Sequence, residues 1–234
     1  MNSDPHANGP VLETGAPLEI ASLAVILLHG RGGSAEDILS LSSAFGADDI
    51  AYFAPQAAGH TWYPLSFMAP REANEPNLSS ALARVANIVV GIEQAGMQRE
   101  RIVIAGFSQG ACLATEFVAT HPARYAGLIA FTGGLIGPPG SLPKNGQLPG
   151  HKLDGLPALL SSGDPDPHVP WERVEESASI LGAMGATVTL QRYPGRPHTI
   201  TAEELDNARR FLDSVRKPNS PTTIDSGPAH SNRD

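Results

Sequence analysis

Cysteine is almost absent from this chain: Cys112 is the one thiol among 234 residues. That excludes an internal disulfide, a CxxC redox pair and a cysteine-rich zinc site. Charge is scarce as well, at 17% of residues, and it leans acidic, with 24 Asp plus Glu against 16 Lys plus Arg for a net charge of −8. Such a chain is poorly suited to a nucleic-acid backbone or an anionic membrane surface as its main partner. Long apolar runs are missing too. The longest aliphatic stretch, residues 24–28 (AVILL), falls far short of the ~20 residues a membrane-spanning helix needs. The start, MNSDPHANGP, has neither a basic nor an apolar stretch, so no secretory signal is read and a cytoplasmic protein is expected. No histidine–carboxylate cluster with metal-ligand spacing occurs, so neither a metal nor another cofactor is expected.

What is present is 41% apolar residues, enough for a sizeable core, punctuated by 24 glycines and 21 prolines. Residues 1–20 read as a tail with an edge strand over residues 11–14. Residues 217–234, rich in Pro, Ser, Thr and Asn, read as a disordered tail because they cannot offset their ordering entropy. Residues 21–216 form one domain in this reading. Strands are expected at 23–28, 50–54, 101–105, 127–131, 158–161 and 187–192. Several are unbroken apolar runs, as strands covered on both faces must be. Helical spacing links Leu78, Leu82, Val85, Val89 and Ile92, then Trp171, Val174, Ala178 and Leu181, and finally Leu205, Ala208, Leu212 and Val215. Ser34-x-x-Asp37 and Thr201-x-x-Glu204 are capping-box starts. Alternating strands and helices specify an α/β fold with a mainly parallel sheet and helices on both faces. Two irregular stretches, 60–77 and 133–153, follow strands and are expected to line one crevice beyond the strand ends.

Gly106-Phe107-Ser108-Gln109-Gly110 lies between an apolar strand and a helical stretch, the setting of a nucleophile elbow. Bulky residues at 106 and 110 would clash where strand and helix meet. A serine hydroxyl needs a base, and the base needs an orienting acid. In this fold class the chain order is Ser, then acid, then His, each at a strand end. The strand at 158–161 runs into GDPDPHVP, and the strand at 187–192 runs into PGRPH, which nominates His198 as base. Asp166 is favoured over Asp164 because Pro167 and Pro170 stiffen the backbone around it. Of the other histidines, His29 is upstream of the serine and is expected to brace its own loop. His6 and His230 fall in the tails, His121 ends a helix, His151 sits in the 133–153 stretch, and His168 is too near the acid in sequence. Leu28-His29-Gly30-Arg31-Gly32-Gly33 follows the first long strand, so the backbone N–H groups of Arg31 and Gln109 are the expected oxyanion donors. Cys112 reads as a small buried hydrophobe.

Together LLHGRGG, TWYP, GFSQGA, DPHVP and PGxxH resemble the bacterial phospholipase/carboxylesterase family of α/β-hydrolases, relatives of the acyl-protein thioesterases. The resemblance runs from about Leu23 to Asp213. It implies an α/β-hydrolase sheet of seven or eight strands, esterase activity, and Ser108, Asp166 and His198 as the triad. Acyl-protein thioesterases tend to carry Asp after their paired aromatics, whereas Pro64 follows Trp62-Tyr63 here, which leans towards small-molecule esters. The expectation is therefore a cofactor-free serine carboxylesterase without a separate lid domain, acting on short-acyl or aryl esters. Trp62, Tyr63 and Phe67 are expected to form an apolar substrate wall. Lysophospholipid or acyl-thioester hydrolysis is the alternative on the same machinery, and a non-catalytic ligand-binding hydrolase fold lies further off. The expected partner is a small-molecule ester, with neither nucleic acid nor a membrane span, and a homodimer is left open.

Overall fold

A computed structural model describes residues 4–46, 48–142 and 152–216. Its centre is a seven-stranded sheet built from β1 (Val11–Gly15), β2 (Leu23–Leu28), β3 (Ile50–Pro55), β4 (Ile102–Phe107), β5 (Gly127–Phe131), β6 (Pro157–Asp164) and β7 (Thr187–Pro194). The spatial order is β1-β3-β2-β4-β5-β6-β7. Only β1 runs antiparallel, pairing with β3 from Val11 opposite Pro55 to Gly15 opposite Ala51. All other neighbours are parallel.

The unbroken apolar runs have a simple cause. Side chains alternate across a strand, so a strand covered on both sides must be apolar at every position. Ala24, Ile26 and Leu28 face one core, and Leu23, Val25 and Leu27 face the other. The first core is closed by α3 (Asn77–Gln94), α4 (Gln109–Thr120) and α5 (Trp171–Ala183), which supply Leu82, Phe117 and Val174. The second is closed by α1 (Ala35–Leu39), α2 (Ser42–Phe45) and α6 (Ala202–Arg216), which supply Ile38, Phe45 and Leu212. The capping box of α1 is present, with the Ser34 side chain accepting from the Asp37 N–H and the Asp37 carboxylate accepting from the Ser34 N–H. The motif before α6 is reciprocal in the same way between Thr201 and Glu204. The mainly parallel sheet with helices on both faces thus follows the alternation of strands and helices in the sequence. No helix among the described residues is long and apolar enough to cross a membrane.

Two expectations need correction. Residues ahead of β1 were read as a tail, yet His6 is completely buried. Its Nδ1 accepts the Ala58 N–H at 3.0 Å and its Nε2 donates to the Trp62 carbonyl at 2.9 Å. An imidazole with one donor and one acceptor satisfies two backbone groups of an irregular loop that has no ladder partner. The 133–153 stretch was expected to line the crevice. Over its described part it packs behind it instead: the Ile136 N–H bonds Glu116 on α4 and the Leu135 N–H bonds Ser177 on α5. Residues 143–151, with His151, and the C-terminal stretch 217–234 lie outside the described residues.

Candidate active site

Ser108 sits between β4 and α4 with φ 54° and ψ −118°, a conformation an L-residue adopts only under constraint. The two flanking glycines make the turn sterically feasible. A Cβ at Gly110 would lie 2.1 Å from the Leu28 carbonyl oxygen, and one at Gly106 would lie 2.4 Å from the Gly110 carbonyl carbon. The elbow therefore holds the hydroxyl out beyond the sheet, where the loops after β6 and β7 converge.

The loop after β7 carries His198, whose Nε2 lies 2.9 Å from Ser108 Oγ. Its Nδ1 lies 2.8 Å and 3.1 Å from the two carboxylate oxygens of Asp166, in the loop after β6. A carboxylate can only accept, so Nδ1 carries the proton and Nε2 presents its lone pair to the serine hydroxyl. The Asp166 side chain has no exposed surface, whereas that of His198 keeps 19%. Burial alone would push the Asp166 carboxyl up. The N–H of His168, the His198 ring and the N–H of Val169 together outweigh it and hold the group below the ordinary carboxylate range. Asp164, two residues earlier, pairs instead with Arg192 on the neighbouring strand.

On the other side of Ser108 lies the loop after β2. The His29 ring accepts the Ala57 N–H at Nε2 (3.1 Å), which leaves Nδ1 to donate to the Gly30 carbonyl at 2.7 Å. The Gly33 N–H bonds the same carbonyl at 3.1 Å. In a trans peptide the C=O and the next N–H point in opposite directions, so tying back the Gly30 carbonyl turns the Arg31 N–H the other way. The Gln109 N–H is the first of α4 and has no carbonyl within its own helix to bond.

The side chains of these same two residues fix the aromatic segment. Gln109 accepts the Trp62 N–H at 3.0 Å and donates to the Tyr63 carbonyl at 2.8 Å. Arg31 donates to the carbonyls of Pro64 and Leu65 at 2.8 and 2.6 Å. Asn74, which the sequence reading passed over, is buried and completes the frame by accepting the Leu65 N–H and donating to the Ser66 carbonyl.

A cavity of about 420 Å³ opens beside Ser108, walled by Tyr63, Leu65, Phe67, His168 and Val169. Tyr63 and Phe67 therefore line this cavity. Trp62 is not: it is 0% exposed and absent from the cavity wall, and its indole N–H donates to the His29 carbonyl at 2.8 Å. Its ring packs 4.9 Å from His29 and 5.5 Å from His6. Trp62 supports the loop behind the site instead of contacting the cleft. Cys112 forms part of the cavity floor, and burial pushes its thiol up to about 12. Phe107 and His168 went unnoticed as lining residues. Each is adjacent in sequence or space to Ser108, Asp166 or His198, with rings 5.1 and 4.7 Å from His198.

A family model described as Phospholipase/Carboxylesterase matches residues 12–216. Among solved structures, the phospholipase/carboxylesterase from Dyadobacter fermentans is 45% identical with a TM-score of 0.81, covering 88% of this chain and 96% of that one. Esterase PE8 is 26% identical with a TM-score of 0.72, covering 88% of this chain and 98% of that one. Acyl-protein thioesterase 1 of Gibberella zeae is 30% identical over 135 residues, covering 56% of this chain and 55% of that protein. The chain spans about half the length of the curated relatives it matches.

Proposed function

The chain belongs to the phospholipase/carboxylesterase family, and on that premise we propose that it is a serine hydrolase cleaving small-molecule carboxylic esters through an acyl-enzyme. The observation that carries this reading is the position of His198, 2.9 Å from the Ser108 hydroxyl and 2.8 Å from a buried, ionised Asp166. Ser108 Oγ attacks the ester carbonyl carbon while its proton passes to His198 Nε2. Asp166 holds the imidazole tautomer and stabilises the cation that forms. The N–H groups of Arg31 and Gln109 receive the developing oxyanion; such preset donors cost no reorganisation at the moment of reaction. The carbonyl–alkoxy bond then breaks, and His198 returns its proton to the leaving oxygen, releasing the alcohol. Water repeats the sequence on the acyl-enzyme, giving up a proton to His198 and releasing the acid as Ser108 Oγ is reprotonated.

The cavity beside Ser108 supports a preference for short-acyl or aryl substrates, because its floor ends on Cys112 and the buried ring of Tyr63. A thioester or lysophospholipid would meet the same catalytic groups, and the length of the acyl chain is what separates these substrates. The test is labelling by a fluorophosphonate probe with wild-type protein and Ser108→Ala, followed by a chain-length series of nitrophenyl esters. Labelling that depends on Ser108, with turnover falling beyond medium chains, is expected. An unlabelled wild type would overturn the assignment, and a rising series would replace the short-acyl preference with a lipid one.

A further inference from the structure

A second cavity, of about 370 Å³, lies beside the catalytic histidine. It shares Gly30, Arg31, Phe107 and His198 with the first, and beyond them Ile38, Leu41 and Ile200 supply its apolar wall, with His29, Gly33, Asp37 and Thr199 completing it. The two cavities belong to opposite sides of the sheet. Tyr63, Phe67, Cys112 and Val169, in the first, are part of the core under α3, α4 and α5. Ile38, in the second, is part of the core under α1, α2 and α6, and Leu41, Phe107 and Ile200 pack against that core. Ser108 and His198 stand on the crest between them, at the carboxyl ends of the strands.

We propose that this second cavity is the alcohol subsite, taking apolar alkyl or aryl leaving groups while the first takes the acyl group. The inference rests on the serine-hydrolase reading and adds to it the side on which each half of the ester lies. Two halves of an ester diverge from one carbonyl carbon, so a substrate with two sizeable halves needs room on two sides of Ser108. Proton delivery then assigns the sides. In acylation the bond between the carbonyl carbon and the alkoxy oxygen breaks and His198 Nε2 gives its proton to that oxygen, so the alkoxy group must lie on the histidine side. The second cavity flanks His198 and continues along Thr199 and Ile200, the two residues that follow it. The first cavity also touches His198, where His168 packs against the ring, but from there it runs under the Gln109–Tyr63 frame to a floor at Cys112 and does not follow Thr199 and Ile200. The chemistry of the wall fits a neutral, apolar group. Ile38, Leu41, Phe107 and Ile200 dominate it, and the exposed carboxylate of Asp37 at its edge disfavours anionic alcohols.

The experiment compares two ester series. One fixes acetate and varies the alcohol from methyl to hexyl and phenyl; the other fixes methanol and lengthens the acyl chain from acetate to hexanoate. Leu41→Trp and Ile200→Trp, made separately so that one folding failure does not remove the test, fill the second cavity. Each should lower the kcat/KM ratio of hexyl over methyl acetate by about tenfold, the scale on which a pocket discriminates a few methylenes. The ratio of methyl hexanoate to methyl acetate should move far less. Leu65→Trp, on the wall of the first cavity, should reverse the pattern. Tryptophan variants that shift the acyl ratio and spare the alcohol ratio would overturn the assignment, as would variants that shift neither. Fluorophosphonate labelling of wild-type Ser108 separates the two levels: labelled protein with unmoved ratios sinks the subsite alone, whereas unlabelled protein sinks the hydrolase reading beneath it.

Discussion

His29 donates from Nδ1 to the carbonyl of Gly30, the next residue, at 2.7 Å. The bond is possible only because Nε2 is occupied as an acceptor by the Ala57 N–H, which selects the neutral tautomer with its proton on Nδ1. A histidine without any reacting partner thereby sets the direction of the Arg31 N–H. His29→Ala should free the Gly30–Arg31 peptide and lower kcat by about 10- to 100-fold, short of the full loss of an oxyanion donor because Gly33 still holds the carbonyl. KM should change little, since the oxyanion exists only on the reaction path. An unchanged kcat in folded His29→Ala protein would show that the loop orients itself without the ring.

The hydrogen bonds to His198 rank the carboxylates. Ser108→Ala should lower kcat by about 10⁶-fold with folding intact, and Asp166→Asn by about 10⁴-fold through loss of the correct imidazole tautomer. Asp164→Asn breaks only a partly exposed pair with Arg192 and should cost less than about 1 kcal/mol of stability with activity near wild type. Steady-state rates on one ester for the three variants check the ranking, and Asp164→Asn falling below Asp166→Asn would mean that the acid is misassigned.

Trp62 and Phe67 separate support from contact. Trp62 is fully enclosed, so Trp62→Ala should cost about 3–5 kcal/mol of stability and depress kcat through the His29 carbonyl it bonds, while leaving acyl-chain selectivity where it was. Phe67 lines the first cavity, so Phe67→Ala should raise KM for larger acyl groups by up to ~3 kcal/mol in binding and change acetate less. Thermal midpoints and kcat/KM on acetate and hexanoate esters check both. A Trp62→Ala variant with altered acyl selectivity would return that ring to the substrate wall.

How far the sequence carries depends on the range of the forces involved. The sheet was legible because burial on two faces writes itself into consecutive residues, as in residues 23–28 and 102–105. Ser108 and His198 were legible because each stands where a strand stops and turn residues begin, in the chain order this fold requires. Asp166 was separable from Asp164 by the prolines that follow it, and the Arg192 pair of Asp164 agrees with that choice. Trp62 was misplaced because nothing within ten residues announces its partners: His29 and His6 reach it from 33 and 56 residues away. The same holds for His6, a polar residue in a polar stretch whose burial depends on a loop folded elsewhere. Phe107 and His168 point into the cleft only because of backbone turns at Ser108 and after Asp166, which composition and periodicity do not encode.

The two structural histidines predict how stability responds to acid. Burial is the main reason that both His6 and His29 titrate below the ordinary histidine value near 6.5, and for each ring the backbone bond it donates, to Trp62 or Gly30, only partly opposes it. Each ring also accepts a backbone N–H, from Ala58 or Ala57, and protonation turns that acceptor into a second donor facing a donor. Between the unfolded value near 6.5 and the lower folded value, the unfolded chain binds more protons than the folded one, so stability increases with pH across that interval. It is complete above about pH 6.5 and declines as the pH falls below it. The depressed carboxyl of Asp166 acts in a separate window, contributing stability above its unfolded value of about 3.9 and losing it as pH falls through the folded one. Thermal midpoints from pH 7.5 to 5 should therefore fall in wild type and fall less in His6→Gln, where an amide can keep one of the two bonds without titrating. Because His6 touches no reacting group, the activity of the folded His6→Gln protein at pH 7.5 should match wild type. A midpoint that stays flat in wild type over this range would show that neither ring is held neutral by the fold.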